Sequence, residues 1–305
     1  MIQRILIAVS LLLAWGAYSL ALEPSEKLLF EKNSLYQYIS VIEDTVKNER
    51  YIRNNKREIY QGGIYLNAPD RLLFEYSQIS FISLAFLDRE PRDVLFVGLG
   101  AGAMPRYLNK YYPEANIDIA EIDPDIEKVA EKYFYFKGNE RMKVHLNDGR
   151  LFIKRTQKKY DIIFLDAYQN DYIPFHLTTV EFLREVKSRL KEGGVVASNV
   201  LSPFRNKFFD SMVVTYDKVF PQLYIFKGRK SNNFIFIATL KNRIRDKEEL
   251  SSIAQKIQAS KKMDIDLGKI GWTCEHCDDY KTNAKVLTDD FAPVNIYKYQ
   301  KSEAQ

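Results

Sequence analysis

Between Asp93 and Leu240 short apolar runs alternate with amphipathic segments, and that alternation limits what the chain can fold into more than any other feature. Strands are expected at Asp93 to Val97, Asn116 to Ile122, Met142 to Leu146, Tyr160 to Leu165, Gly193 to Val200, Gln222 to Phe226 and Asn233 to Ala238. Helices fit Met104 to Tyr111, Pro124 to Tyr133, Gly149 to Thr156, Thr178 to Leu190 and Arg205 to Val219. The pattern predicts an α/β fold, a Rossmann-like doubly wound, mostly parallel seven-stranded sheet covered by helices on both faces. The last two strands, joined by a short basic turn around Gly228 and Arg229, read as an antiparallel edge hairpin. Ahead of this unit, Leu35 to Ile42, Arg50 to Ile52 and Gly63 to Leu66 predict a small N-terminal antiparallel sheet, and Asp70 caps a helix running to about Leu87. A further helix is expected at about Asp246 to Ile257.

The amino terminus has Arg4 followed by an apolar run from Ile5 to Leu22, with a small-x-small site at Ser19-Leu20-Ala21. It reads as a secretory signal or as an uncleaved anchor at the lower limit for spanning a bilayer. The expected location is therefore exported, periplasmic or extracellular, or membrane-anchored through residues 5–22. The 45 Lys and Arg against 40 Asp and Glu, net +5, are scattered rather than gathered into a stripe, which argues against a nucleic-acid partner. Two cysteines exclude a disulfide-framework fold and a four-thiolate metal site. In an exported chain Cys274-Glu275-His276-Cys277 reads most simply as a local disulfide. No metal is expected.

Val94-Leu95-Phe96-Val97 runs directly into Gly98-Leu99-Gly100-Ala101-Gly102-Ala103 and then a helix. Such a bend lets backbone approach a ligand and presents N–H groups at a helix N-terminus. A dinucleotide, an adenosyl sulfonium compound or a purely structural turn would all suit Gly98, Gly100 and Gly102. Two acids at later strand ends narrow the choice to a nucleoside: Glu121, placed to accept from both ribose hydroxyls, and Asp148, placed to accept from an exocyclic adenine amine, with Gly149 permitting the turn.

Gly98 to Ala103, Ala120-Glu121-Ile122-Asp123-Pro124, Asn147-Asp148-Gly149-Arg150 and Tyr160 to Tyr168 together resemble the spermidine synthase (polyamine aminopropyltransferase) family. Leu287 to Val294 resembles the closing segment of its spermidine-synthase-like branch, and the likeness covers roughly Leu35 to Tyr297. The resemblance implies decarboxylated S-adenosylmethionine as donor, a diamine as the small amine acceptor, methylthioadenosine as by-product and a homodimer. Together with the terminal signal peptide or membrane anchor at 1–22, it divides the chain into a small β domain at 23–69 and a nucleoside-binding catalytic domain with a C-terminal extension at 70–305.

Asp166 ends the fourth strand, where an open parallel sheet exposes its reacting groups, and matches the family's catalytic aspartate. An ammonium acceptor must lose a proton before it can attack carbon beside a sulfonium, and a carboxylate can take that proton. Tyr168 is its candidate hydrogen-bond partner, with Asp171 and His176 as further candidates; His145 reads as a packed strand residue. The chain departs from the family at Ala101 and Gln169, where acids are usual, and the family's tyrosine in the leading helix corresponds to Phe74, with Tyr76 nearby. Those departures leave two alternatives open: methyl transfer from S-adenosylmethionine on the same scaffold, and an exported nucleoside-binding module without turnover.

Overall fold

The computed structural model describes residues 23–53, 60–167, 173–276 and 282–291. A four-stranded antiparallel sheet leads, built in chain order from β1 (Glu26–Asn33), β2 (Tyr38–Asp44), β3 (Glu49–Arg53) and β4 (Tyr60–Tyr65). Sequence reasoning missed β1, whose residues are half-buried or exposed and so lack an apolar alternation. The expected strand from Leu35 begins instead at Tyr38, because Ser34 to Gln37 form the β1–β2 turn, held by the Ser34 N–H donating to the Gln37 carbonyl at 2.9 Å.

The expected helix from Asp70 is shorter and changes character. An α-helix, α1 (Glu75–Ser80), has Phe74 at its cap position, and a 3₁₀ segment at Phe81–Phe86 continues it. All six residues of that segment are buried. Such a run has no polar face to turn toward solvent, so helical periodicity there reports burial rather than an amphipathic helix.

The main sheet consists of β5 (Asp93–Val97), β6 (Asn116–Glu121), β7 (Met142–Leu146), β8 (Tyr160–Leu165), β9 (Leu190–Leu201), β10 (Gln222–Lys227), β11 (Asn233–Thr239) and β12 (Cys274–His276). Its order is β12-β10-β11-β9-β8-β5-β6-β7. Strands β5 to β9 pair in parallel, and β10 and β11 form the expected antiparallel hairpin against β9. The difference from seven strands is β12, which adds antiparallel to β10 and covers its free edge. Cys274 on that strand is buried and disulfide-bonded, while Cys277 lies outside the described residues.

Alternation along the central strands feeds two cores. Val94, Phe96, Ile162 and Phe164 face one side; Leu95, Val97 and Ile163 face the other, as expected for parallel strands covered on both faces. Helices α2 (Ala103–Tyr111) and α3 (Pro124–Tyr133) pack on the first side together with α1 and α7 (Lys247–Lys261). On the second side lie α4 (Gly149–Arg155), α5 (Val180–Ser188) and α6 (Phe209–Asp217). The order of strands reverses at β5 and β8, so the crevice beyond their carboxyl ends is where a ligand would sit.

The leading sheet is fastened beside that crevice. The Ser34 hydroxyl donates to Asp123 Oδ2 at 2.5 Å, the Lys32 ammonium meets Asp125 at 2.8 Å, and Gly62 on β4 packs against Ala101 of the glycine loop.

Candidate active site

A cavity of about 520 Å³ opens at the switch point, lined by Gly98, Gly100, Glu121, Asp148, Gly149 and Asp166 among others. The three loop glycines have different roles. At Gly98 (φ 101°) a Cβ would collide with the Asp166 carbonyl, so only glycine lets the two strand ends approach. At Gly100 (φ 53°) a Cβ would enter open space within the cavity, which is the room a ligand's backbone contact requires. Gly102 caps α2 and packs on Phe136, away from the cavity lining.

Glu121 closes β6 with 7% exposure. Its Oε2 accepts from Leu99 N–H and its Oε1 from Asp123 N–H, both at 2.9 Å. Burial pushes its pKa above the ordinary carboxylate value, against the pull of these donors. The carboxylate therefore shapes the glycine loop as well as facing the cavity, a double role that spacing alone did not show.

Asp148 caps α4, accepting from Leu151 N–H at 2.9 Å, and its other oxygen meets His176 Nε2 at 2.9 Å. That hydrogen bond from His176 is the main reason its pKa falls below the ordinary value. His176, on a 3₁₀ turn at Phe175–Leu177, is thus turned to the Asp148 side of the cavity. Gly149 lets the start of α4 press against Val97. The next residue, Arg150, makes a two-pronged pair with Asp289 at 2.8 Å, which fastens the C-terminal segment to the same helix. His145, by contrast, pairs with Asp118 at 2.8 Å and packs its ring on Phe152, away from the cavity lining.

Asp166 follows β8 directly. Its Oδ1 accepts from Asn199 Nδ2 at 2.9 Å, Asn199 in turn accepts from Asn233 Nδ2 at 2.7 Å, and the Tyr76 side chain also bonds the carboxylate. Withdrawal from water pushes the Asp166 pKa up to about 6, with the Asn199 and Tyr76 hydrogen bonds opposing the rise. A carboxylate so placed can accept a proton near neutral pH. The aromatic partner is Tyr76, not Phe74, whose ring stacks on Tyr76 with centroids 6.0 Å apart. Tyr168, Gln169 and Asp171 lie outside the described residues. Asn199 and Asn233 were missed; their signal was an Asn beside the apolar run of each of two strands, after Val195 to Ala197 in one and before Phe234 to Ala238 in the other.

The family model of the spermine/spermidine synthase domain matches residues 73–228. A polyamine aminopropyltransferase of Vibrio vulnificus (strain CMCP6) is 35% identical over 279 residues, spanning 89% of this chain and 91% of that protein. The chain belongs to the spermine/spermidine synthase family. The fold is shared with a probable spermidine synthase from Corynebacterium glutamicum ATCC 13032, at TM-score 0.65 and 20% identity over 84% of this chain and 98% of that one. It is also shared with human methyltransferase-like protein 13 in complex with SAH, at TM-score 0.58 and 28% identity over 62% of this chain and 93% of that one. As a member of the spermine/spermidine synthase family the chain is a transferase, and both its leading antiparallel sheet and its Rossmann-like sheet follow the family plan.

Proposed function

We propose that the protein transfers an aminopropyl group from decarboxylated S-adenosylmethionine to a small amine. The observation that carries the reading is Asp166: one carboxylate at the switch point, beside a nucleoside-sized cavity, with a pKa raised to about 6. Glu121 and Asp148 offer acceptors to the ribose and adenine, and the open space at Gly100 admits the nucleoside close to backbone. Asp166 takes a proton from the acceptor ammonium. The freed nitrogen lone pair then forms a bond to the carbon beside the sulfonium as the carbon–sulfur bond breaks. Sulfur keeps that electron pair and leaves as the neutral thioether of methylthioadenosine. Tyr76 and Asn199 hold the carboxylate in place while this happens.

Incubation with decarboxylated S-adenosylmethionine and a series of amines, followed by mass analysis, tests the reading. The expected result is methylthioadenosine together with an aminopropylated amine. Ala101, where the family usually carries an acid, supports methyl transfer as the second reading, because no carboxylate stands there to meet the donor's propylamine. S-adenosylhomocysteine formed from S-adenosylmethionine would establish that alternative.

We also infer that residues 1–22 direct export. The support is the basic start, apolar run and small-x-small site; among the described residues no helix is long and apolar enough to cross a membrane. Expression in a host with an intact secretory pathway should yield a precursor and a mature form beginning near Leu22; only a full-length form in the membrane fraction would indicate an anchor. A homodimer is expected from family resemblance and is checked by light scattering.

A further inference from the structure

Asp166 is held from two sides, and both arms lead back to one residue outside the cavity lining. On one side Tyr76 of α1 bonds its carboxylate; on the other Asn199 of β9 does so, braced by Asn233 at the start of β11. Glu75 precedes Tyr76 and is the first residue of α1. Its carboxylate reaches the turn between β10 and β11. There Oε1 accepts from the backbone N–H of Arg229 at 3.0 Å, and Oε2 from those of Lys230 at 2.7 Å and Ser231 at 2.8 Å. Three successive N–H groups converging on one point form a cradle that an ionised carboxylate fills. Partial burial raises the Glu75 pKa, but the three donors, Lys230 foremost, hold it below the ordinary value, so the group is charged at neutral pH.

The turn is shaped to that carboxylate. The Gly228 N–H donates to the Asn233 carbonyl at 3.1 Å, which closes the hairpin, and a Cβ at Gly228 would stand 2.3 Å from Ser231 Oγ and 2.9 Å from Glu75 Oε2. The Ser202 N–H, just past β9, donates to the Asn232 carbonyl at 2.8 Å. Asp166, Tyr76, Glu75, the hairpin turn, Asn233 and Asn199 thus form a closed circuit. Removing Glu75 would leave three N–H groups without their acceptor and free the turn, and Asn233 with it, from α1.

Resting on the reading of Asp166 as the group that takes the acceptor's proton, we propose that Glu75 is a positioning residue: by clamping the 229–231 turn onto α1 it fixes the two arms, Tyr76 and Asn199–Asn233, that aim Asp166.

The direction of the acid limb separates this role from a simple charge effect. Taking away the Glu75 charge by itself would lower the Asp166 pKa, whereas loosening Tyr76 and Asn199 raises it. Among the described residues, the other charged or ionisable groups sharing the cavity with Asp166 are Glu121, Asp148, His176, Arg205 and Lys230. The cavity's tyrosines, Tyr36, Tyr60 and Tyr76, are neutral in the range of the limb. None of these groups is altered in the variants below.

The test measures kcat/KM against pH with decarboxylated S-adenosylmethionine and 1,4-diaminobutane. Glu75→Ala should lower kcat/KM about tenfold, mostly in kcat, and move the acid limb to higher pH, while methylthioadenosine titrates calorimetrically as in the wild type. Glu75→Gln, which keeps one carbonyl acceptor for the turn, should recover most of the loss and stay within roughly threefold of wild type. Adding Asn199→Ala to Glu75→Ala should cost less than the product of the two single losses, since both act on one carboxylate. As a control, Asp246→Ala removes the side chain that accepts from Glu249 N–H at 2.7 Å at the start of α7, away from the cavity, and should lower Tm with the limb in place. If Glu75→Ala behaves like that control, or moves the limb to lower pH, the proposal is overturned; should Glu75→Ala not fold, an unmoved limb in Glu75→Gln overturns it equally. Absence of aminopropylated product from the wild type, with methylthioadenosine still bound, overturns aminopropyl transfer itself, and this proposal with it.

Discussion

Asn199 donates its carboxamide N–H to Asp166 at 2.9 Å while its oxygen is held by Asn233 at 2.7 Å, so the amide cannot rotate without breaking two bonds. The pair fixes the direction of the carboxylate at the floor of the cavity. It also opposes the rise in pKa that withdrawal from water imposes.

The pH profile follows from that balance. With Asp166 raised to about 6, kcat/KM should climb through an acid limb centred near pH 6 and level off above it. Asp166→Asn should retain methylthioadenosine binding yet lose on the order of 10²-fold in turnover. Full turnover in that variant would move the base elsewhere, with Asp171 and His176 next to be tested.

Removing the neighbour should move the limb. Asn199→Ala takes away a donor that favours the ionised carboxylate, so the acid limb should shift toward neutral pH and the rate at pH 6 should fall roughly threefold. Asn233→Ala, acting through Asn199, should shift it the same way by less. A limb that stays in place in both variants would show that the chain of amides has no hold on Asp166.

The same group destabilises the fold at neutral pH. Its pKa rises from the ordinary 3.8 to about 6 in the folded chain, so the folded form binds more protons across that interval. Stability is then fully present below about pH 4 and is lost as pH climbs to about 6. Asp166→Asn should therefore raise Tm at pH 7.5, with the gain shrinking at pH 4. An equal gain at both pH values would point to packing instead of ionisation.

At the nucleoside end, Glu121→Ala should cost about 1–3 kcal/mol in methylthioadenosine binding by calorimetry. It should lower Tm as well, because the Leu99 and Asp123 N–H groups lose their acceptor. Gly100→Ala should weaken the ligand by filling the space it needs, and Gly98→Ala should cost more stability, since its Cβ would strike the Asp166 backbone. Unaltered binding in Glu121→Ala would remove that residue from the ribose.

The sheet was legible because β5 and β8 alternate into two cores, and both faces of a parallel strand must be apolar. That Glu121, Asp148 and Asp166 would share one cavity wall was legible because the carboxyl ends of parallel strands open on one crevice. Asn199 was not, since its role depends on β9 lying beside β8, a pairing between residues 33 apart in sequence. Nor was Tyr76: the resemblance aligned the family's tyrosine with Phe74, and only the packing of the leading helix against the crevice shows that Tyr76 is the ring that reaches the carboxylate. The edge strand β12 is three residues long and polar in two of them, too short for any periodicity to register.

The contact between Gly62 and Ala101 bears on how such a chain could change over generations. A Cβ at position 62 would come within 3.0 Å of the Ala101 methyl group, so position 101 can grow only while position 62 stays bare, and the reverse. An ancestor with an acid at position 101 of the glycine loop would already have position 62 bare, and would reach the present arrangement in one step at 101. Once Gly62 and Ala101 are both in place, any residue gained at 62 locks the acid out, and the fit between the two sheets acts as a ratchet on the chemistry of the loop.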